Sequence, residues 1–203
     1  KYKDKLAKTR KRTGLNSAVS VAYGKLTENL NAVVVASDFS YFGASTGPDE
    51  GESILYACSK AILTSSPMVV FATGGGMRMQ IPGAVSLMQM PRTVLGFSEV
   101  KKKNIPVIVI VDNVVAGGIS ASYTAIGDFL FFEGSKSRFM FAGPRVAANA
   151  SNTKPPENFL EAEWCMSHGH GDYLIKKRKD TKDFLVKFLN IILKKDQSSI
   201  IGE

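Results

Sequence analysis

Short apolar runs and amphipathic stretches alternate along this chain of 203 residues. Segments 67–73 and 107–112 are mostly apolar and too short for a buried helix, which predicts two buried strands. The β-rich runs 18–23 and 32–37 flank a short polar stretch, and this arrangement predicts a hairpin. Near the end of the chain, apolar residues recur with helical spacing and predict an amphipathic helix capped by Asp180.

Helical patterns separate most of these strands. Helices are predicted over 1–12, from 49 towards 64, from about 83 to 103 with a kink or break at Pro91, from about 118 to 126, over 144–150 and over 157–167. Further short strands are predicted at 129–132, 138–141 and 173–175. Alternating strands and helices without a linker or repeat predict one α/β domain over 1–203, with a largely parallel sheet.

Two glycine turns carry the main chemical signal. Gly74-Gly75-Gly76 follows the first buried strand, and Gly117-Gly118 follows the second. Bare glycine turns that open helices point backbone N–H groups into a cleft, where they stabilise negative charge without a titrating side chain. Gly75, Gly76, Gly117 and Gly118 are therefore the predicted catalytic positions, and the pattern favours chemistry on an acyl oxygen. Tight strand-to-helix connections with no ligand are the structural alternative.

Charge and composition narrow the class of protein. The net charge is +8, with basic residues concentrated at 1–12 and 176–195, which suits a phosphate-bearing ligand or an acidic partner. Neither segment interleaves aromatic residues in an RNA-binding pattern, so nucleic acid is disfavoured. No apolar run approaches the roughly 20 residues of a membrane span. Two cysteines, Cys58 and Cys165, are too few for a zinc or disulfide framework and are predicted to be buried.

A hydrolase and a metal site are alternative interpretations. Ser122 follows the second glycine turn and is a candidate nucleophile for a Clp-type serine hydrolase. His168 or His170 would then be the base, with Asp172 as the orienting acid. The same His-Gly-His-Gly-Asp stretch resembles a metal cluster, but it lacks clear third and fourth ligands, which favours a structural loop and no metal site.

Several motifs occur in the order typical of one family. They are Gly75-Gly76-Met77-Arg78-Met79-Gln80, Ser86-Leu87-Met88-Gln89-Met90, Gly117-Gly118-Ile119-Ser120-Ala121-Ser122, Gly127-Asp128 and Phe141-Ala142-Gly143-Pro144-Arg145-Val146. In these motifs the chain resembles the carboxyltransferase β subunit of bacterial or plastid acetyl-CoA carboxylase.

The resemblance implies a crotonase (Clp-like) spiral of ββα units. It also implies transfer of a carboxyl group from carboxybiotin, held on the biotin carboxyl carrier protein, to acetyl-CoA, giving malonyl-CoA for fatty-acid synthesis. A carboxyltransferase α subunit is expected to complete an α2β2 enzyme in the bacterial cytoplasm or the plastid stroma, so that the isolated chain is nearly inactive. The glycine amides would stabilise the thioester enolate, and Arg78, Gly143 and Arg145 are the expected substrate-binding residues. No protein base is needed if the released biotin takes the methyl proton.

Some positions depart from the family pattern. The family's four-cysteine zinc ribbon is absent from this chain, and truncation would explain that. Ile81 stands where the family has Glu, one extra residue precedes Ser86, and Pro91 replaces a helix former. Residues 113–116 replace the usual segment before the second glycine turn. These changes keep open a non-catalytic crotonase-fold subunit that binds CoA or a partner.

Overall fold

The computed structural model describes residues 2–80, 83–143, 148–150 and 155–193. Its helices are Tyr2–Thr13 (α1), Pro48–Thr64 (α2), Gly83–Leu87 (α3), Gln89–Lys102 (α4), Ala162–Ser167 (α5) and Thr181–Leu193 (α6), with short 3₁₀ turns at Phe42–Ala44 and Arg178–Asp180. Its strands are Val19–Thr27 (β1), Leu30–Ser37 (β2), Met68–Gly74 (β3), Val107–Val115 (β4), Phe129–Glu133 (β5), Arg138–Phe139 (β6) and Tyr173–Ile175 (β7). Ile81, Arg145 and most of the predicted helix 144–150 lie outside the described residues.

The strands form one sheet in the order β1-β2-β3-β4-β5-β7, with β6 paired to β4. β1 and β2 are antiparallel, which confirms the predicted hairpin. The pairs from β2 to β7 are parallel, as predicted. Parallel pairing brings the carboxyl ends of β3 and β4 to the same edge of the sheet, and the two glycine turns begin there.

The two central strands bury side chains on both faces, as parallel strands between helices do. On one face, Val70 of β3 and Val109 of β4 pack with residues of α2 and α4. On the other, Val69 and Ile108 pack in a cluster that contains Leu185 of α6. The continuous apolar runs seen in the sequence are therefore strands sandwiched between helices.

Two predicted helices need correction. The predicted helix 83–103 is interrupted at Met88, three residues before Pro91, and not at the proline. Pro91 lies in the first turn of α4, where a missing N–H leaves no intrahelical hydrogen bond unmade. The predicted helix 157–167 is also shorter, because its regular part is Ala162–Ser167.

The stretch 118–126 is a series of turns and not the predicted helix. The hydroxyls of Ser120, Ser122 and Thr124 donate to the backbone carbonyls of Gly117, Gly118 and Ile119 at 2.8, 2.6 and 2.6 Å. Such side-chain bonds compete with a regular helical ladder. Among the described residues, no helix is long and apolar enough to cross a bilayer.

Candidate active site

The first glycine turn is packed too closely for any larger residue at its first position. A Cβ on Gly74 would lie 2.6 Å from the carbonyl oxygen of Ala44. Gly75 donates its N–H to the carbonyl of Gly43 at 3.1 Å, and the carbonyl of Gly76 accepts from the N–H of Thr46 at 3.0 Å. Gly76 has φ +118°, which side-chain-bearing residues rarely adopt. The turn is thus fixed to the segment around residues 43–46.

The second glycine turn is held by different contacts. Gly117 has φ +58°, and its N–H donates to the carbonyl of Phe141 at 3.1 Å. The hydroxyl of Ser122 folds back on the carbonyl of Gly118 at 2.6 Å. The carbonyl of this second glycine is therefore occupied within its own turn.

Residues 113–116, which depart from the family pattern, belong to a region of β4 that contains a bulge. Two steps along β3, from Ala72 to Gly74, stand opposite four steps along β4, from Val111 to Val115. The hydroxyl of Thr73 donates to the carbonyl of Val114 at 3.2 Å within the bulge. Because Val115 pairs with Gly74, the second glycine turn still begins beside the first.

The two turns meet. A Cβ on Gly76 would lie 3.5 Å from the amide nitrogen of Gly118 and 3.7 Å from the Cα of Gly117. The N–H of Ala116 also donates to the carbonyl of Gly74 at 2.9 Å. Residues far apart in sequence therefore form one backbone surface.

The four predicted glycines are not equivalent. Gly75 and Gly117 use their amides within the protein. The amides of Gly76 and Gly118, by contrast, have no acceptor among the residues that the structure describes. Gly76 is buried, and a buried amide without a partner is uncommon. This pair of amides is suited to an anionic oxygen.

Methionine side chains form an apolar wall beside the second turn. A Cβ on Gly118 would lie 2.7 Å from Cγ of Met77 and 3.0 Å from Sδ of Met90. Thioether side chains are apolar, polarisable and adaptable. An apolar wall lowers the local dielectric, so it strengthens hydrogen bonds made by the neighbouring amide.

Arg78 is buried and does not present its guanidinium to solvent. Its side chain is 6% exposed, and Nη2 donates to Oε1 of Glu50 at 2.8 Å. Glu50, in the first turn of α2, is fully buried. The sequence signal for this contact was the spacing of three residues from Gly47. A glutamate at that helix position often accepts the backbone N–H of the residue before the helix, as Glu50 does with Gly47.

The other expected substrate-binding residues lie beyond the second turn. Gly143 is half-buried and follows Phe141, the residue that accepts the Gly117 amide. Arg145 lies outside the described residues. Both remain predictions.

The hydrolase arrangement is absent from the described part of the chain. Ser122 is 1% exposed, and its hydroxyl bonds to backbone carbonyls. The ring of His168 stacks on Trp164 and contacts that residue's carbonyl through Nδ1 at 2.7 Å. Asp172 accepts from the amide of Leu130 instead of orienting a histidine. The interpretation of Ser122 as a nucleophile was therefore wrong.

Neither cysteine is placed for chemistry. Cys58 and Cys165 are both buried and free, as predicted. Burial raises the pKa of the Cys58 thiol to about 12, so it stays protonated at neutral pH. Within the described ranges, no group of three or more potential metal ligands comes together, the histidine loop included.

Comparison with known proteins identifies the family. The carboxyl transferase domain model matches residues 1–200. The acetyl-coenzyme A carboxylase carboxyl transferase subunit beta of Pelagibacter ubique is 41% identical over 197 residues, which are 97% of this chain and 62% of that protein. The protein of the same name from Rhodopseudomonas palustris strain BisB18 is 38% identical over 203 residues, 100% of this chain and 60% of its own length. The chain thus spans about 60% of these curated relatives.

Solved structures share the fold at lower identity. Transcarboxylase 12S has a TM-score of 0.76 at 23% identity, covering 85% of this chain and 33% of that one. The Pseudomonas malonate decarboxylase MdcD–MdcE hetero-dimer has a TM-score of 0.74 at 19% identity, covering 86% and 77%. These neighbours confirm the predicted crotonase-like α/β fold. With the sequence match across residues 1–200, they lead to one conclusion: the chain belongs to the carboxyl transferase domain family, as its resemblance to carboxyltransferase β subunits predicted.

Proposed function

We propose that this chain is the thioester-binding β part of a biotin-dependent acetyl-CoA carboxyltransferase that forms malonyl-CoA for fatty-acid synthesis. The observation that carries the proposal is that the amides of Gly76 and Gly118 have no acceptor among the described residues, while a Cβ on Gly76 would lie 3.5 Å from the amide nitrogen of Gly118. The names of the relatives agree with this activity.

Both amides act on the oxygen of the substrate thioester. Carboxylation at the methyl carbon requires an enolate, whose oxygen carries nearly a full negative charge. The N–H groups of Gly76 and Gly118 donate to that oxygen, and one such donor lowers a barrier by about 3 kcal/mol. Gly75 and Gly117 hold the turns in shape, since their own amides bond to Gly43 and Phe141.

The carboxyl donor is carboxybiotin on a carrier protein, which supplies the CO₂ unit and a ureido nitrogen that accepts the methyl proton. The N–C bond to the carboxyl group breaks, a C–H bond of the acetyl methyl breaks, and the new C–C bond forms. Among the described residues, no carboxylate–histidine pair is hydrogen-bonded beside the two glycines. In this proposal the protein acts through its amides, because the ureido nitrogen of biotin takes the proton.

The basic residues of α1, a helix that contacts residues 40 and 42, suit the CoA phosphates. Tyr2 stacks on Phe42 at 6.1 Å, and Arg12 donates to the carbonyl of Ser40 at 2.6 Å, so α1 is anchored to the segment that holds the turn. Its exposed cations are Lys3, Lys5, Lys8, Arg10, Lys11 and Arg12. Together with Arg145 they are the residues proposed to meet the phosphates, whereas Arg78 is buried against Glu50.

A carboxyltransferase α subunit is the proposed partner, in an α2β2 enzyme served by the carrier protein in a bacterial cytoplasm or plastid stroma. The relatives are named as subunits, and one structural neighbour is a hetero-dimer. Coexpression with an α subunit, followed by a malonyl-CoA assay with carboxylated carrier protein, tests the proposal. Turnover that requires both chains is expected. An assembled α–β complex without turnover would contradict catalysis and favour the non-catalytic subunit.

A further inference from the structure

The segment that holds the first glycine turn has an unusual backbone. Phe42, Gly43 and Ala44 have φ values of +52°, +62° and +50°. Left-handed backbone is unfavourable for residues other than glycine, and it persists only where the surroundings enforce it. Two carbonyls of this left-handed turn contact the glycine turn: that of Gly43 accepts the Gly75 amide, and that of Ala44 lies against Gly74.

A buried carboxylate connects this region to two other elements. Oε2 of Glu50 accepts the N–H of Gly47 at 2.8 Å. Oε1 accepts the N–H of Ala18 at 3.0 Å, the hydroxyl of Ser17 at 3.2 Å and Nη2 of Arg78 at 2.8 Å. One carboxylate thus joins the entry to β1, the start of α2 and the residue two positions after Gly76.

The side chain of Arg78 also packs against the left-handed turn. Its guanidinium lies 5.1 Å from the ring centre of Phe42 and 5.7 Å from that of Tyr41. Nη2 also donates to the carbonyl of Ser45 at 2.7 Å, directly after the turn. The backbone of Arg78 donates to the carbonyl of Thr46, and Thr46 in turn donates to Gly76.

We infer that Glu50 and Arg78 are positioning residues, which clamp the left-handed turn against the first glycine turn and so fix the direction of the Gly76 amide. Neither side chain touches the substrate; both act through residues 42–46. The inference rests on the proposed function, because it assigns these residues to the stabilisation of the enolate oxygen.

The sharpest variant is Arg78→Lys, which keeps the charge but loses the planar fork that reaches Glu50, Ser45 and the aromatic rings together. Arg178→Lys is a control at a more exposed Arg–carboxylate pair, since the Arg178 side chain is 71% exposed. Arg178 donates to buried Glu133 and to Asp112 at 3.0 Å, beside the α6 face of the sheet. It therefore reports the effect of weakening an Arg–carboxylate pair away from the first turn.

Two readouts separate positioning from general stability in the α–β complex. The first is steady-state kinetics, in which Arg78→Lys lowers kcat about tenfold or more while KM for acetyl-CoA changes less than about twofold. The second is affinity for a CoA thioether that carries a nitronate, an anionic enolate mimic, relative to CoA itself. The ratio of these affinities falls about tenfold in Arg78→Lys, as expected for loss of an interaction made only with the anion. It stays at the wild-type value in Arg178→Lys.

Each result has one meaning. Wild-type kcat and a wild-type affinity ratio in folded Arg78→Lys would overturn the inference, and so would an equal loss in Arg178→Lys at matched thermal stability. If Arg78→Lys does not fold, Glu50→Gln decides: it keeps the shape of the buried side chain and removes the charge that pairs with Arg78. A lowered ratio in that variant supports the inference, and an unchanged ratio overturns it. Failure of the wild-type complex to favour the nitronate would instead contradict the proposed function.

Discussion

The two glycine turns perform one proposed task but are braced in different ways. The first is held by Glu50 and Arg78, whose side chains are 0% and 6% exposed. The second follows a bulged strand paired to β6, where Arg138 bonds Glu161 and the side chains are 34% and 9% exposed. An ion pair with one partly exposed member is expected to contribute less than a fully buried pair, which is strongly destabilising to break. The first turn is therefore expected to be the rigid half of the site, and the second the adjustable half.

The largest expected effect comes from Gly76→Val. The φ of +118° is unsuitable for a side-chain-bearing residue, and the new side chain would crowd the amide nitrogen of Gly118, 3.5 Å from the Cβ position. Loss of an oxyanion donor lowers kcat about 10²- to 10³-fold. Malonyl-CoA formation by the α–β complex measures this.

Gly24→Val is the control for that variant. Gly24 lies in β1, and no atom is within 4 Å of its Cβ position, so valine fits the strand. The control should keep wild-type turnover and thermal stability. Normal turnover in Gly76→Val would contradict the role given to the first turn.

Gly118→Ala is expected to cost less, because the second turn can adjust. Gly118 has no left-handed φ, but its Cβ would crowd Met77 at 2.7 Å and Met90 at 3.0 Å. Crowding of this kind costs about 1–3 kcal/mol, and we expect a fall in kcat of about tenfold.

A second-site change sharpens this prediction. Met77→Ala removes the atom that the new methyl group meets, so the double variant Gly118→Ala/Met77→Ala should recover part of the lost kcat. If the double variant is slower than the product of the two single effects, the loss does not come from crowding.

A smaller effect concerns how acid changes the stability that the Arg138–Glu161 pair provides beside the second turn. Hydrogen bonds from Arg138 and then Lys136 hold the pKa of Glu161 below its ordinary value. Its stabilising contribution is therefore present above the unfolded-state pKa and is lost as pH falls through the lowered folded-state pKa. Urea unfolding of the wild type and of Glu161→Gln between about pH 3 and 7 should show that the variant lacks this acid-dependent part.

Glu99→Gln provides the comparison for that measurement. Glu99 pairs with Lys102 on the surface of α4, and both side chains are more than half exposed. Its pH profile of stability should follow the wild type. If Glu161→Gln follows the wild type equally well, the ion pair beside β6 does not brace the second turn.

The smallest expected effect is that of Ser122→Ala. Its hydroxyl bonds the carbonyl of Gly118 and is not a nucleophile, so kcat should stay within about threefold of wild type, as for loss of one ordinary hydrogen bond. A fluorophosphonate probe should not label the wild-type protein. Labelling that disappears in Ser122→Ala would restore the hydrolase interpretation.

The sequence predicted the sheet and both glycine turns because their signals are local. Continuous apolar runs identify buried strands such as β3 and β4, and glycine directly after a strand indicates a tight turn. The stretch 118–126 was misread because its hydroxyl side chains bond nearby carbonyls and displace a regular helix.

The features that the sequence did not predict depend on contacts between residues that are far apart along the chain. Glu50 and Arg78 are 28 positions apart; the spacing of Glu50 from Gly47 indicates a helix cap, but neither local pattern indicates that the two residues form a buried pair. The sequence also could not separate Gly76 from Gly75, because the partner of the Gly75 amide is in a left-handed turn that Phe42 gives no reason to expect. Which amides stay free is decided by the folded chain and not by the glycine motif.

A crystal structure of the α–β complex with the nitronate thioether of CoA tests the central claim most directly. A nitronate oxygen should lie about 2.7–3.1 Å from the amide nitrogens of both Gly76 and Gly118. An oxygen bound elsewhere, or either amide turned away to bond within the protein, would contradict the account.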